Sequence, residues 1–175
     1  QGTQRTIQGG GSKALYGEQV ASDHILDTYA YSGIVEYDAP ELVITARCGT
    51  PLLEIEAALA EKGQMLAFAP PHFGKHATIG GAVAAGLAGP RRPHAGAVRD
   101  FILGTKLLNG KGEHLEFGGQ VMKNVAGYDV SRLLTGSMGT LGVITEVSLK
   151  VLPRSVASKT VVFDYDVHTA LKPGS

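Results

Sequence analysis

The sequence predicts an α+β fold in two lobes, at about residues 1–68 and 69–155, followed by a tail at 156–175. Strand and helix patterns alternate in the first half, and hairpin patterns with intervening helices follow in the second. The Gly-x-Gly-x-x-Gly and Walker fingerprints are both missing. These observations argue against a doubly wound Rossmann sheet.

Three short strands and one helix are predicted in the first half. The strands are apolar or β-branched runs at residues 5–8, 33–37 and 42–46. The helix begins after them, with Thr50 as the expected cap and Pro51 at the first position. Its apolar stripe is Leu52, Ile55 and Leu59, and Gly63 ends it.

The second half is predicted to contain two helices and three strands. The helices are expected at residues 78–87 and 128–134, and the strands at 100–108, 113–117 and 142–152. The first two of these strands flank the turn Asn109-Gly110-Lys111-Gly112, which predicts a hairpin with a bulge.

Composition restricts the class of protein. Hydrophobic residues make up 43% of 175 residues, which is enough for a packed core. Lys plus Arg and Asp plus Glu both number 16, so no basic excess points to nucleic acid. The single cysteine, Cys48, excludes an internal disulfide and is expected to be buried. No apolar run approaches the roughly 20 residues of a membrane span, and a cytoplasmic location is expected.

Twenty-four glycines, about twice the usual share, fall into clusters. The first cluster is Gly9, Gly10, Gly11, Ser12 and Lys13. Residues without Cβ let the backbone approach a ligand, and consecutive N–H groups can form a nest for a pyrophosphate. A flexible surface turn is the alternative, and a lone glycine triplet favours it.

The second cluster starts the second predicted helix and comprises Thr78, Ile79, Gly80 and Gly81, with Gly86 and Gly89 beyond it. Thr78 is the expected helix cap. Glycine in a helix costs about 1 kcal/mol relative to alanine. Close approach of a phosphate to the helix would explain that cost, and close packing against another element explains it equally well.

A third cluster, residues 136–142, has three glycines at a spacing of three and leads into the last strand at Gly142, Val143 and Ile144. This spacing is typical either of a turn or of a backbone that lies directly against the planar ring of a ligand.

Longer stretches of the sequence resemble the flavin-binding subunits of bacterial glycolate oxidase and, more widely, the FAD-linked oxidases of the vanillyl-alcohol oxidase type. The resemblance covers residues 6–153 in order. Its motifs are Pro-Pro-His-Phe-Gly at 70–74, Ala-Thr-Ile-Gly-Gly at 77–81, Gly-Ala-Val-Arg-Asp at 96–100, Lys-Asn-Val-Ala-Gly-Tyr-Asp at 123–129 and Gly-Thr-Leu-Gly-Val-Ile at 139–144.

The resemblance implies FAD held between two α+β lobes. Residues 9–13 would hold the pyrophosphate, and Pro70 with residues 78–81 would line the pyrophosphate, ribityl chain and ring. Gly86 and Gly89 would let the chain pass close to the flavin, and residues 142–144 would offer it backbone groups. A C-terminal cap domain covers the flavin in the family, and residues 156–175 only lead toward it.

Two departures from the family pattern concern the first loop. Gln8 stands where Arg is common in the family. We expect this change to weaken cofactor binding little, because backbone N–H groups make most of the contacts with the pyrophosphate. Some members attach FAD covalently through a histidine near this loop, and Ser12 and Lys13 occupy that region here. Non-covalent FAD is therefore expected.

The family reaction passes a hydride equivalent from a small 2-hydroxy acid such as glycolate to FAD, and the electrons go on to a partner. The implied partners are a sister flavoprotein subunit and an iron–sulfur subunit, through which a complex would contact the inner membrane. No catalytic residue can be assigned. Two rivals stay open: a non-catalytic FAD subunit that relays electrons or stabilises the complex, and a module for NAD or ATP.

Other polar residues support weaker hypotheses. His72, His76 and His94 are expected to be loop residues, and no metal site is predicted from them. Arg91 and Arg92 are candidates for contact with a substrate carboxylate or a partner subunit. A turn exposed to solvent explains them equally well. A polar set near the second lobe is expected to pack that lobe, with organisation of the flavin region as the alternative; it comprises Lys123, Asn124, Tyr128 and Arg132.

Overall fold

The computed structural model describes residues 5–17, 24–119, 127–166 and 168. The elements in these residues are β1 (Thr6–Gln8), β2 (Ile25–Asp27), β3 (Ile34–Asp38), β4 (Val43–Arg47), α1 (Leu52–Glu61), β5 (Gln64–Leu66), α2 (Ile79–Ala85), α3 (Arg92–Ala95), a 3₁₀ turn (Val98–Phe101), β6 (Ile102–Leu108), β7 (His114–Gly118), α4 (Val130–Leu134) and β8 (Val143–Pro153). The predicted α+β class is confirmed.

The main sheet is antiparallel and has the order β3-β4-β8-β6-β7, with β5 pairing to the far end of β8. A separate two-stranded parallel sheet joins β1 to β2, with Thr6 opposite Ile25. Strands from both predicted lobes therefore lie in one sheet, and the lobe boundary near residue 68 stays a prediction. At 11 residues, β8 is long enough to pair with three strands.

The core lies between one face of the main sheet and helices α1 and α2. The predicted stripe of Leu52, Ile55 and Leu59 is completely buried, and Ile44 of β4 and Val83 of α2 belong to the same cluster. Burying an aliphatic side chain of this size contributes about 1.5–3 kcal/mol. This packing holds α2 against the sheet, and α2 forms one wall of the candidate functional site.

The predicted hairpin is present between β6 and β7. The Asn109 N–H donates to the Glu113 carbonyl at 3.1 Å, and Gly112 has a φ of +80°. A left-handed glycine at the end of a three-residue loop is the usual geometry for such a connection.

The predicted cap of α1 was wrong. Pro51 occupies the N-cap position without a side-chain capping bond. The Thr50 hydroxyl instead accepts from the Gly33 N–H at 2.9 Å and donates to the Arg47 carbonyl at 2.7 Å. Those bonds attach the helix start to the chain around β3 and β4.

The prediction that Tyr128 packs a lobe was also wrong, since its side chain is 98% exposed. Arg132 is directed to an ion pair with Asp129, at 3.0 Å. Lys123 and Asn124 lie outside the described residues.

Four elements were not predicted from the sequence, namely β2, β5, α3 and the 3₁₀ turn at Val98–Phe101. Each has only three or four residues, which is too short for a hydrophobic period to be recognised. In the described part of the chain, no helix is long and apolar enough to cross a membrane.

Candidate functional site

A cleft of about 490 Å³ brings the first glycine cluster next to helix α2. Its lining comes from residues 6–14 and Tyr16, from Thr78, Gly81, Ala84 and Ala85 around α2, and from Met138. Parts of all three glycine clusters of the sequence therefore meet at one place.

The first glycine loop rests directly on the residues that precede α2. A Cβ at Gly10 would lie 1.5 Å from the His76 carbonyl oxygen, and one at Gly9 would lie 2.8 Å from Thr78 Oγ1. Real Cβ atoms do not make contacts that short. Glycine is thus required at both positions for the two loops to close together.

The backbone of this loop has free hydrogen-bonding capacity. The N–H groups of residues 10–13 donate to no acceptor among the described residues, whereas the Ala14 N–H is used in a turn to the Gly11 carbonyl at 3.3 Å. Gly11 has a φ of +66°, a conformation that favours glycine. Clustered free N–H groups of this kind are what a bound phosphate satisfies.

The glycines at the start of α2 divide into two roles. Gly80 is buried, and a Cβ there would lie 2.5 Å from Cys48 Cβ, so this glycine serves close packing of α2 on the residue that follows β4. Gly81 lines the cleft, and its N–H donates to the capping Thr78 hydroxyl at 3.2 Å. The predicted Thr78 cap is confirmed.

Gly86 and Gly89 are also packed against backbone. A Cβ at Gly89 would lie 1.8 Å from the Ala69 carbonyl oxygen, and one at Gly86 would lie 3.0 Å from Gly136 Cα. Both residues have a positive φ, of +71° and +66°. These contacts account for the two glycines without a ligand.

The third glycine cluster reaches the cleft through one residue. Met138 donates its N–H to the Ala84 carbonyl at 2.9 Å, and Gly136 donates to the Val83 carbonyl at 3.0 Å, which docks the loop on the last turn of α2. Met138 has a φ of +54°, a strained value for a residue with a side chain. Its side chain adds an apolar surface beside Ala84 and Ala85.

Two polar side-chain atoms of the cleft are buried and lack a hydrogen-bond partner among the described residues. They are Lys13 Nζ and Thr6 Oγ1. Burial lowers the pKa of the Lys13 ammonium below its usual value. An ammonium without a partner among the described residues, on the same loop as unsatisfied N–H groups, fits an anionic group, so the lining suits the phosphates of FAD.

The predicted cofactor residues fall into two sets. Gly9, Gly10, Gly11, Ser12, Lys13, Thr78 and Gly81 line the cleft, whereas Pro70, Ile79, Gly80, Gly86, Gly89, Gly142, Val143 and Ile144 are not among its lining residues. Contact of either set with a cofactor stays a prediction. Thr6, Ile7, Tyr16, Ala84 and Met138 were missed, because no motif distinguishes single apolar or hydroxyl residues.

Other candidate residues lie elsewhere. His76 is exposed and shares a hydrogen bond of 3.2 Å with the Tyr29 hydroxyl. His72 is bonded to Glu56 at 3.0 Å. Arg91 and Arg92 are exposed. Among the residues described, no group of three or more His, Cys, Asp or Glu could hold a metal. Cys48 is buried as predicted, and burial raises the pKa of its thiol.

Comparison with known proteins identifies the class of ligand. Residues 1–118 match the model of a family described as FAD binding domain. The chain is 58% identical over 169 residues to the glycolate oxidase subunit GlcE of Escherichia coli K12, covering 97% of this chain and 48% of that protein. It is 36% identical over 134 residues to the glycolate oxidase subunit GlcD of Bacillus subtilis 168, covering 76% and 28%.

A solved structure of alkyldihydroxyacetonephosphate synthase has a similar fold. Its TM-score is 0.69 at 25% sequence identity, over 87% of this chain and 28% of that one. The chain spans less than half the length of each of these three proteins.

Proposed function

Because the chain belongs to the FAD binding domain family, we propose that it is the cofactor-binding part of a flavin-dependent 2-hydroxy-acid oxidoreductase subunit. The resemblance found in the sequence is confirmed at the level of the family. Glycolate is the proposed substrate, since the two glycolate oxidase subunits are among its relatives.

The observation that supports this proposal is the pairing of unsatisfied donors with apolar walls in one cleft. Free N–H groups of residues 10–13 and the Lys13 ammonium would bind the phosphates. Ile7, Ala84 and Met138 would contact a flat ring. FAD, once bound, supplies the hydride acceptor, and the protein contributes position and electrostatic environment.

Binding of FAD is tested on the purified chain. We expect a flavin absorption spectrum, either directly or after incubation with FAD and removal of the excess. A chain that shows no flavin bands after that treatment would contradict the proposal. A difference in the spectra of free and bound FAD would also give the dissociation constant.

Attachment of the cofactor is proposed to be non-covalent, since Ser12 and Lys13 stand where some related proteins have a linking histidine. Acid precipitation of the loaded protein checks this point. All of the flavin should stay in the supernatant, and flavin that sediments with the protein would contradict non-covalent attachment.

The proposed reaction belongs to a longer protein than this chain. In the full-length subunit, FAD would accept a hydride equivalent from the 2-hydroxy acid and pass electrons to a partner. The proposed partners are a sister flavoprotein subunit and an iron–sulfur subunit, in a cytoplasmic complex that contacts the inner membrane. Affinity purification of a tagged full-length subunit tests the complex.

Flavin bleaching distinguishes catalysis from electron relay. Glycolate is mixed rapidly with the loaded full-length subunit, alone and with the sister subunit, and flavin absorbance is followed. Bleaching of the isolated subunit supports catalysis at this flavin. Bleaching only with the sister subunit would replace this proposal with a relay or scaffold role.

A further inference from the structure

The loop at residues 70–76 ends against the first glycine loop, and it has few backbone attachments of its own. Within the described part of the chain, no backbone hydrogen bond joins residues 70–76 to another segment. The residue before the loop is held, since the Ala69 N–H donates to the Ala88 carbonyl at 3.0 Å. The residue after it is held as well, since the Ala77 carbonyl accepts from the Leu52 N–H at 2.8 Å. Between these two points, the position of the loop depends on side-chain contacts.

Two histidines make the side-chain hydrogen bonds of this loop among the described residues. His72 Nε2 lies 3.0 Å from Glu56 Oε1 on helix α1. His76 Nδ1 lies 3.2 Å from the Tyr29 hydroxyl, and the two rings meet edge to face with their centroids 5.9 Å apart. A tyrosine hydroxyl can donate or accept a hydrogen bond, so this contact forms with either state of the ring nitrogen.

His76 is the residue of the loop that contacts the glycine loop. A Cβ at Gly10 would lie 1.5 Å from the His76 carbonyl oxygen and 3.0 Å from His76 Cβ, so the backbone of Gly10 lies directly on His76. Gly10 lines the cleft, whereas His76 and Tyr29 are not among its lining residues. A displacement of His76 would therefore change the cleft through Gly10, without any contact between His76 and a ligand.

Tyr29 is held firmly on the other side of this contact. Its N–H donates to Asp27 Oδ1 at 2.8 Å. A Cβ at Gly49 would lie 2.2 Å from the Thr28 carbonyl oxygen and 2.6 Å from the Tyr29 carbonyl oxygen. The turn that carries Tyr29 is thus packed tightly on the chain that follows β4, and Tyr29 can serve as a fixed support for His76.

These contacts form a closed ring around the start of the glycine loop. The Thr28 N–H donates to the Gln8 carbonyl at 2.8 Å, two residues before Gly10. Tyr29 follows Thr28 in the chain and bonds to His76, and His76 returns the ring to Gly10. Loss of the contact between Tyr29 and His76 would open this ring next to the residues that line the cleft.

We infer that Tyr29 and His76 form a positioning pair for the phosphates of the cofactor. By holding His76, the pair keeps residues 10–13, whose N–H groups have no acceptor among the described residues, in the arrangement that receives a phosphate. Fixing a binding loop before the ligand arrives raises affinity, because less conformational freedom is lost on binding. The inference rests on the proposed function, because it takes FAD as the ligand.

A double-mutant cycle on the purified chain tests the pair. Tyr29→Phe keeps the ring and removes the hydroxyl, and His76→Ala removes its partner. We expect each single change to weaken the binding of FAD and of inorganic pyrophosphate about fivefold, as for the loss of one hydrogen bond. The double variant should bind FAD about as well as His76→Ala does, because one interaction can be lost only once.

Phosphorus NMR of bound FAD separates positioning from a general loss of stability. Tyr29→Phe should shift the phosphorus resonances of bound FAD, because the loop that holds the phosphates has moved. The ligand-free variant should melt within about 3 °C of the wild type. Glu56→Ala is the matched control, since it removes the partner of His72 in the same loop, and it should change neither the resonances nor the affinity.

Three outcomes would overturn the inference and leave the proposed function standing. They are an unchanged FAD affinity in Tyr29→Phe, losses that add up in the double variant, and phosphorus resonances that stay unchanged in Tyr29→Phe. Equal weakening in Glu56→Ala would also overturn it, because any attachment of the loop would then have the same effect. Failure of the wild type to bind FAD would reject both the proposed function and the positioning pair.

Discussion

The glycines of the first loop and those of the α2 segment look alike in sequence, yet they have different neighbours. Gly9 and Gly10 close the loop onto residues 76–78, and the N–H groups of residues 10–13 have no acceptor in the described part of the chain. Gly80 and Gly89 are pressed against the chain at Cys48 and Ala69. The first set shapes the wall of a cleft, and the second holds the helix that forms the opposite wall.

Substitutions in these two sets of glycines are therefore expected to have different effects. Changing a glycine of the α2 segment should lower the free energy of unfolding and leave the ligand affinity of the folded molecules intact. Changing Gly9 or Gly10 of the first loop should lower ligand affinity, and the loss of stability should be smaller than at Gly89, because neither residue has a positive φ.

The largest expected effect is that of Gly89→Ala. The new Cβ would lie 1.8 Å from the Ala69 carbonyl oxygen at a φ of +71°. We expect a loss of about 3 kcal/mol in the free energy of unfolding, measured with urea. Gly110→Ala is the matched control, because no atom lies within 4 Å of the position of its Cβ. A Gly89→Ala variant of full stability with weakened FAD binding would reverse the assignment of roles.

Gly10→Ala should mainly lower the affinity for the ligand. The Cβ would lie 1.5 Å from the His76 carbonyl oxygen, so the loop must move away from residues 76–78. We expect FAD binding to weaken by about a hundredfold and the free energy of unfolding to fall by about 2 kcal/mol, less than in Gly89→Ala because Gly10 has no positive φ. Flavin fluorescence titration gives the affinity and urea unfolding gives the stability. Unaltered affinity would mean that closure of the two loops is irrelevant to binding.

Lys13→Met tests the charge that this loop contributes. Methionine keeps an unbranched chain without the ammonium, and FAD affinity should fall about tenfold. Burial lowers the pKa of Lys13 in the ligand-free protein, and a bound phosphate would raise it again. Wild-type affinity should therefore be complete below the lowered pKa and decrease as the pH rises through it.

The pH profile of the variant provides the control for that effect. Affinity of Lys13→Met should not change with pH in the alkaline range where the wild type loses affinity. Parallel profiles for the two proteins would assign the pH dependence to a different group. Ligand-free Lys13→Met should be no less stable than the wild type, because the charged form is disfavoured by burial.

The smallest effect is expected at the boundary between the two regions. Thr78 caps α2 by accepting from the Gly81 N–H. Thr78→Ala should cost about 1 kcal/mol in unfolding free energy, and Thr78→Ser, which keeps the cap, should cost much less. Thermal unfolding measures both. Equal losses in the two variants would indicate that packing of the methyl group, rather than capping, matters at this position.

The sequence predicted the long elements and the three clusters that meet at the cleft. Runs rich in apolar and β-branched residues identify β4 and β8, and the stripe of α1 is visible in three residues. The separate roles of Gly80 and Gly81 could not be predicted, because only the tertiary contact with Cys48 distinguishes them. Thr6 was missed for a related reason, since whether a hydroxyl has a partner depends on residues distant in the chain.

The central place of β8 has a consequence for the order of folding. Strands β4, β5 and β6 all pair with it, and β8 also packs under α2. During synthesis the earlier strands leave the ribosome before their shared neighbour exists, so their edges stay unpaired until residues 143–153 emerge. Long-range pairing of this kind folds slowly. We therefore expect the cleft wall formed by α2 to be completed late, so that a nascent chain would bind FAD only after β8 has joined the sheet.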